Sequence, residues 1–197
     1  MRNVFLDLGT HYGQGLREFI GNFKMDESWI IHTFEANPVT YEIFVKDYHH
    51  MTPWVIHHNE AVSDHDGTIT VNLETPPNEG DTGMGSSVIS LENWNPWGLR
   101  DRNHFQVQRE VPCINLSRFI RENFSKEDNI IIKMDIEGSE YATLEKMIEE
   151  GTIEYVNSLT TEWHARFFTN KEEIELREQN LMKKLETYNG LALQSWR

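Results

Sequence analysis

The chain of 197 residues is long enough for one domain with a full core and too short for two ordinary ones. With 18 Lys and Arg against 32 Asp and Glu, its formal charge of −14 argues against a broad attraction to nucleic acid or to an anionic membrane surface, and a small neutral or cationic ligand suits it better. No apolar run approaches a membrane span, the first residues lack a signal-peptide pattern, and the single Cys113 excludes an internal disulfide, so a cytoplasmic protein with a buried thiol is expected.

"NVFLDLG" (3–9) is a nearly continuous apolar run ending at a glycine, the pattern of a strand covered on both faces. Leu16, Phe19, Ile20 and Phe23 then fall at helical spacing; "WIIHTFEAN" (29–37) is a second strand, and Tyr41, Phe44, Val45 and Tyr48 mark a second helix. "WVIHHNEAVSD" (54–64) supplies a third strand, and "GTITVNLE" (67–74) follows the Asp66-Gly67 turn signal as an exposed strand. Residues 75–105 show no periodicity and are rich in Gly, Pro and Asn, while Trp94 and Trp97 favour a packed lid over a disordered tether. Strands at 105–115, 129–135 and 152–164 alternate with helices at 116–124, after 140 and at 170–188, before a final "LALQSW". This alternation predicts an α/β domain over 1–197 with a doubly wound, mostly parallel sheet and helices on both faces. The hairpin after the third strand and the tail are expected to be antiparallel additions.

In a parallel sheet, "DLGTHYGQG", "FEANP", "NEAVSD", "MDIEGSE" and "TEWH" all end strands on one rim, where ligands of α/β sheets bind. Glycines at 9, 13 and 15 follow Asp7 in a GxxxGxG spacing, wider than the GxGxxG that seats a pyrophosphate, and read either as a plain turn or as a loop for an amino-acid moiety. Glu35, about twenty residues beyond Gly15, is placed to accept both hydroxyls of a ribose. Its alternative role as a helix cap is weakened because Asn37 can cap the helix starting near Pro38.

Taken together, "FLDLGTHYGQG", "HTFEANP", "NEAVSDHDGTITV", "GSSVIS" and "IIIKMDIEGSEYATLEKM" resemble the successive signature segments of FkbM-type methyltransferases, a branch of the class I S-adenosylmethionine-dependent enzymes. The resemblance runs from about residue 3 to about residue 164, and its most specific element is K-x-D-x-E-G-x-E at 133–140. It implies a Rossmann-like methyltransferase fold, with Gly9, Thr10, His11, Gly13 and Gly15 around the methionine part of S-adenosylmethionine and Glu35 on its ribose. By the same resemblance Ala61, Val62 and Ser63 border the adenine, and Asp135 faces the acceptor, a hydroxyl on a sugar, glycan or other small molecule. The chain starts almost at its first strand, so no N-terminal extension is expected to bind substrate.

Methyl transfer from a sulfonium is an in-line displacement, so the protein must mainly align the reactants and remove a proton from a hydroxyl acceptor. Asp7, Glu35 and Asp135 would favour a cationic cofactor over its neutral product. Candidate bases are Asp135, Glu137, Glu162 and His164; His164 titrates near neutrality if unperturbed and is either catalytic or a surface residue. Glu140, in the first helical turn, reads as offsetting the helix dipole. No diagnostic metal spacing is present and no metal is expected; the alternative reading is that Asp135, Glu162 and His164, a mixed oxygen and nitrogen donor set, bind a divalent metal that activates a hydroxyl. Ser86, Ser87, Trp94, Trp97 and Arg100 in the lid are the candidates for acceptor binding, the tryptophans alternatively forming the loop's own core. A nicotinamide-dependent oxidoreductase and a non-catalytic adenosine-binding protein are the competing readings.

Overall fold

A computed structural model describes residues 1–48, 53–73, 85–95 and 107–196. Among these, six strands form a sheet in which every pairing is parallel: β1 (Asn3–Leu8), β2 (Ile30–Phe34), β3 (Val55–His58), β7 (Asn129–Met134), β8 (Val156–Thr161) and β9 (Ala192–Ser195), in the order β3-β2-β1-β7-β8-β9. Parallel neighbours require crossovers, supplied by α1 (Gln14–Phe23), α2 (Pro38–Tyr48), α4 (Glu140–Glu149) and α5 (Lys171–Leu185). α3 (Leu116–Asn123) precedes β7 and is capped by Asn115, whose side chain accepts from Arg118 N–H.

Period-two alternation in the central strands sorts the core. Val4, Leu6 and Leu8 of β1 and Ile130, Ile132 and Met134 of β7 pack with α3, α4 and α5, while Phe5 and Ile131 face α1 and α2 through Leu16, Phe19 and Phe44. Asp7 and Lys133 belong to the second set of positions and are direct partners across the β1–β7 pair. The charges at the mouth of these strands are therefore matched across the ladder on the α1 side.

The segment from 54 to 64 divides where a single strand is expected. β3 stops at His58, Asn59 turns the chain by donating its side-chain amide to Glu35 O, and β4 (Ala61–Ser63) joins a second sheet. There β6 (Val107–Asn115) lies between β4, which is parallel to it, and β5 (Gly67–Leu73), which is antiparallel. Cys113 is buried in this small sheet beside Val71 and Val111, as expected of a core thiol. The tail also differs from expectation: β9 pairs parallel to β8, because the fifteen residues of α5 carry the chain back to the starting end of the sheet. Among the described residues no helix is long and apolar enough to cross a membrane.

Candidate active site

The chain runs outward from β1 to β3 in one direction and from β7 to β9 in the other, so a crevice opens beyond the carboxyl ends of β1 and β7. A cleft lies there, with Gly9, His11, Glu35, Asp135 and Glu137 among its polar lining and Phe34, Ala61, Val62, Val71 and Val88 among its apolar wall. At Gly9, His11, Asp135 and Glu137 it meets a second cavity that also reaches Lys133, Glu162, Arg166 and Trp196.

Glu35 is almost fully buried at the cleft. Its Oε2 accepts from His11 N–H and its Oε1 from Asn37 N–H, both at 2.8 Å, which fixes the carboxylate while leaving each oxygen a further lone pair. Burial pushes its pKa up to about 7, opposed by those two N–H groups and by the Lys133 charge. Asn37 caps α2 itself, its Oδ1 accepting from Val39 N–H.

The glycine loop divides by role. Gly9, at φ +75, runs so close to the end of β7 that a Cβ there would stand 1.7 Å from Asp135 O. Gly13 holds the left-handed position before α1. Gly15 makes room for Lys133, whose Cε would lie 3.2 Å from an added Cβ. Thr10 is buried, with its hydroxyl donating to Asp7 O. Asp7 is fully buried beneath the crevice, 3.4 Å from Lys133 Nζ, and neither of its carboxylate oxygens has a hydrogen bond. Lys133 also donates to Gly9 O at 2.7 Å and pairs with Asp135 Oδ2 at 3.4 Å. Burial acts to lower its pKa, but Asp7 and Asp135 outweigh that and keep it above the ordinary lysine value. Burial raises the Asp7 pKa although the Lys133 charge opposes it, and Asp7 and Lys133 form a buried strut from which Asp135 projects.

From Asp135 to Glu140 the chain is held by its own helix start. Glu140 is fully buried; Oε1 accepts from Ile136 N–H and Oε2 from Gly138 N–H, both at 3.0 Å. Its role goes beyond offsetting the dipole, since it fixes the turn that presents Glu137 at φ +50. Oε1 also lies 2.8 Å from His164 Nδ1. His164, expected at the surface or titrating near neutrality, is fully buried. Burial opposes its charge, yet the carboxylates of Glu140, Glu137 and Asp135 prevail and raise its pKa to about 10. Glu162 projects into the second cavity and is bonded to Arg166 at 2.7 Å.

A family model described as "Methyltransferase FkbM domain" matches residues 7–184. The chain belongs to the FkbM methyltransferase family. Among solved structures, the methyltransferase FkbM from Methylobacillus flagellatus KT is similar at 14% identity and a TM-score of 0.44, over 76% of this chain and 30% of that one. The chain therefore spans less than a third of that protein's length. No curated relative matches.

In this FkbM-family chain the described part of the lid touches the site mainly as support. Ser87 is buried, its hydroxyl donating to Glu137 O at 2.6 Å beside the Val88 N–H bond to the same carbonyl. Ser86 lines the cleft and accepts from Asn37 Nδ2. Trp94 is fully buried, stacked on Phe167 at 4.9 Å, so it builds the loop's own core rather than a surface for the acceptor. Trp97 and Arg100 lie outside the described residues. Ala61 and Val62 line the cleft, whereas Ser63 turns away to bond Asp64. Arg166 and Trp196 went unnoticed in the sequence, because nothing in their local pattern marks them; the 3₁₀ turn Ala165–Phe167 and the β8–β9 pairing bring them to the second cavity.

Proposed function

We propose that the chain is an S-adenosylmethionine-dependent methyltransferase that O-methylates a hydroxyl of a sugar, glycan or other small molecule. The observation that carries this reading is the pair of cavities meeting at Asp135 and Glu137, which would give an adenosine cofactor one compartment and an acceptor the other. The residues suit the cofactor: the fixed Glu35 carboxylate retains acceptor capacity for ribose hydroxyls, and Ala61, Val62, Val71 and Val88 offer an apolar wall for a base. When bound, the cofactor supplies a methyl group activated by its sulfonium, which becomes a neutral thioether as the new O–C bond forms.

The chain's own residues would do the rest. Gly9 and His11 border the junction where the two ligands meet, and Asp135, braced by Lys133, sets negative charge beside the cationic reactant. Glu137 is the base that receives the acceptor proton, held in place by Ser87, Val88 and Glu140. His164 acts as a fixed partner of the carboxylates rather than as that base.

Calorimetric titration with S-adenosylmethionine, its demethylated product and NAD tests the reading. Micromolar binding of the first two and none of NAD is expected. Folded protein that binds neither methionine compound would overturn it, and binding of NAD alone would favour an oxidoreductase.

A further inference from the structure

Three carboxylates crowd one buried nitrogen. Nε2 of His164 lies 3.6 Å from Asp135 Oδ1, 3.6 Å from Glu137 Oε2 and 3.8 Å from Glu162 Oε1, and it has no hydrogen bond. The side chain is 1% exposed and cannot turn to find a partner, because Glu140 holds Nδ1 and is itself pinned by Ile136 and Gly138. Leaving a buried polar atom without a hydrogen bond is costly and calls for a physical reason. The Glu140–His164 bond is also the arrangement by which a carboxylate orients an imidazole for a metal ion.

We propose that Asp135, Glu162 and His164 bind a divalent cation, best matched by Mn2+, whose open positions face the acceptor cavity. Their ligand atoms all lie within 4.8 Å of one another. An octahedral ion with bonds of about 2.1 Å sets neighbouring ligands about 3.0 Å and opposite ligands about 4.2 Å apart, so sub-ångström shifts would close the group around it. Oxygen donors suit Mg2+ and Mn2+, and the imidazole adds a preference for a transition metal. Asp135 is split between duties, Oδ2 toward Lys133 and Oδ1 toward His164, so it can take a metal without losing its brace. Asp135, Glu137, Glu140 and Glu162 outnumber Lys133 and Arg166, and a dication on Nε2 in place of a proton balances the cluster better.

The role of the ion rests on the methyltransferase reading; its binding does not. A cation at this position withdraws charge from an acceptor hydroxyl oxygen and lowers its pKa. The O–H bond breaks, the electron pair stays on oxygen, the proton passes to Glu137, and no atom changes oxidation state. Two adjacent oxygens on one acceptor, as in a sugar diol, can fill neighbouring open positions, which would select that class of substrate.

Electron paramagnetic resonance of Mn2+ added to the full chain at about 0.15 M salt, which screens weak surface attraction, tests the site directly. The free-ion signal should fall with a stoichiometry of one per chain, and Glu162→Gln and His164→Gln should each weaken uptake at least about tenfold. Glu122→Gln, on the exposed face of α3, should not. Thermal melts confirm folding, and if His164→Gln fails to fold, the Glu162→Gln comparison decides. An undiminished free-ion signal, or equal uptake by Glu162→Gln, would overturn the inference. Mn2+ uptake without cofactor binding would sink the methyltransferase reading alone, and cofactor binding without Mn2+ uptake would sink the metal site alone.

Discussion

Gly9 and Gly151 share one backbone conformation and differ in what surrounds them, which makes them a matched pair for alanine substitution. Their φ angles are +75 and +72, so an alanine pays the same left-handed penalty at either site, about 1–2 kcal/mol. At Gly151 nothing lies within 4 Å of the added Cβ. At Gly9 the Cβ would meet Asp135 O at 1.7 Å, a backbone atom that cannot swing aside as a side chain could, so the ends of β1 and β7 must separate. That separation threatens the Asp135 N–H bond to Leu8 O at 3.0 Å and the Lys133 bond to Gly9 O at 2.7 Å. A neutral hydrogen bond contributes about 1 kcal/mol and one to a charged group about 1.5–3 kcal/mol, so Gly9→Ala should cost about 3 kcal/mol more than Gly151→Ala. For a chain of this size that is a further fall in Tm of about 6–12 °C. Thermal melts measure it, and a cofactor titration should show lost affinity for Gly9→Ala alone. Equal Tm values for the two variants would refute the close approach of Gly9 to the β7 end.

Lys133→Met should destabilise by about 3–5 kcal/mol, because it leaves the buried Asp7 without its cation, and adding Asp7→Asn should restore part of the loss. Urea unfolding of the single and double variants checks this, and no recovery in the double variant would count against the strut. Glu35 carries a folded pKa of about 7 against an ordinary 4.5, so the folded state holds the extra proton between those values and loses stability as pH rises from about 4.5 to 7. Relative to wild type, Glu35→Gln should therefore gain up to about 3 kcal/mol between pH 4.5 and pH 8; unfolding curves with parallel pH dependence would contradict the shift. Trp94→Ala should cost about 3–5 kcal/mol and Trp94→Phe much less, since a ring can still stack on Phe167. An alanine variant as stable as wild type would remove Trp94 from the core.

Local pattern carried most of the secondary structure. Apolar runs at 3–9, 29–37 and 129–135, each followed by helical spacing, were sufficient for a parallel α/β sheet because neighbouring parallel strands need helices between them. The same pattern placed Gly9, Glu35, Asp135, Glu137 and Glu162 at strand ends, and all five line the two cavities. The division of residues 54–64 into β3 and β4 was not legible, since the Asn59 bond that turns the chain depends on Glu35, twenty-four residues away.

The sequence by itself determined which elements form and which rim gathers charge, because both follow from periodicity and the direction of parallel strands. Only the tertiary structure decided what each charge faces. Asp7 and Lys133 met because β1 and β7 pair in register, although the strands are more than a hundred residues apart in the chain. His164 became buried among carboxylates because the turn after β8 packs on the start of α4, and the resulting field, rather than any neighbour in sequence, sets its protonation.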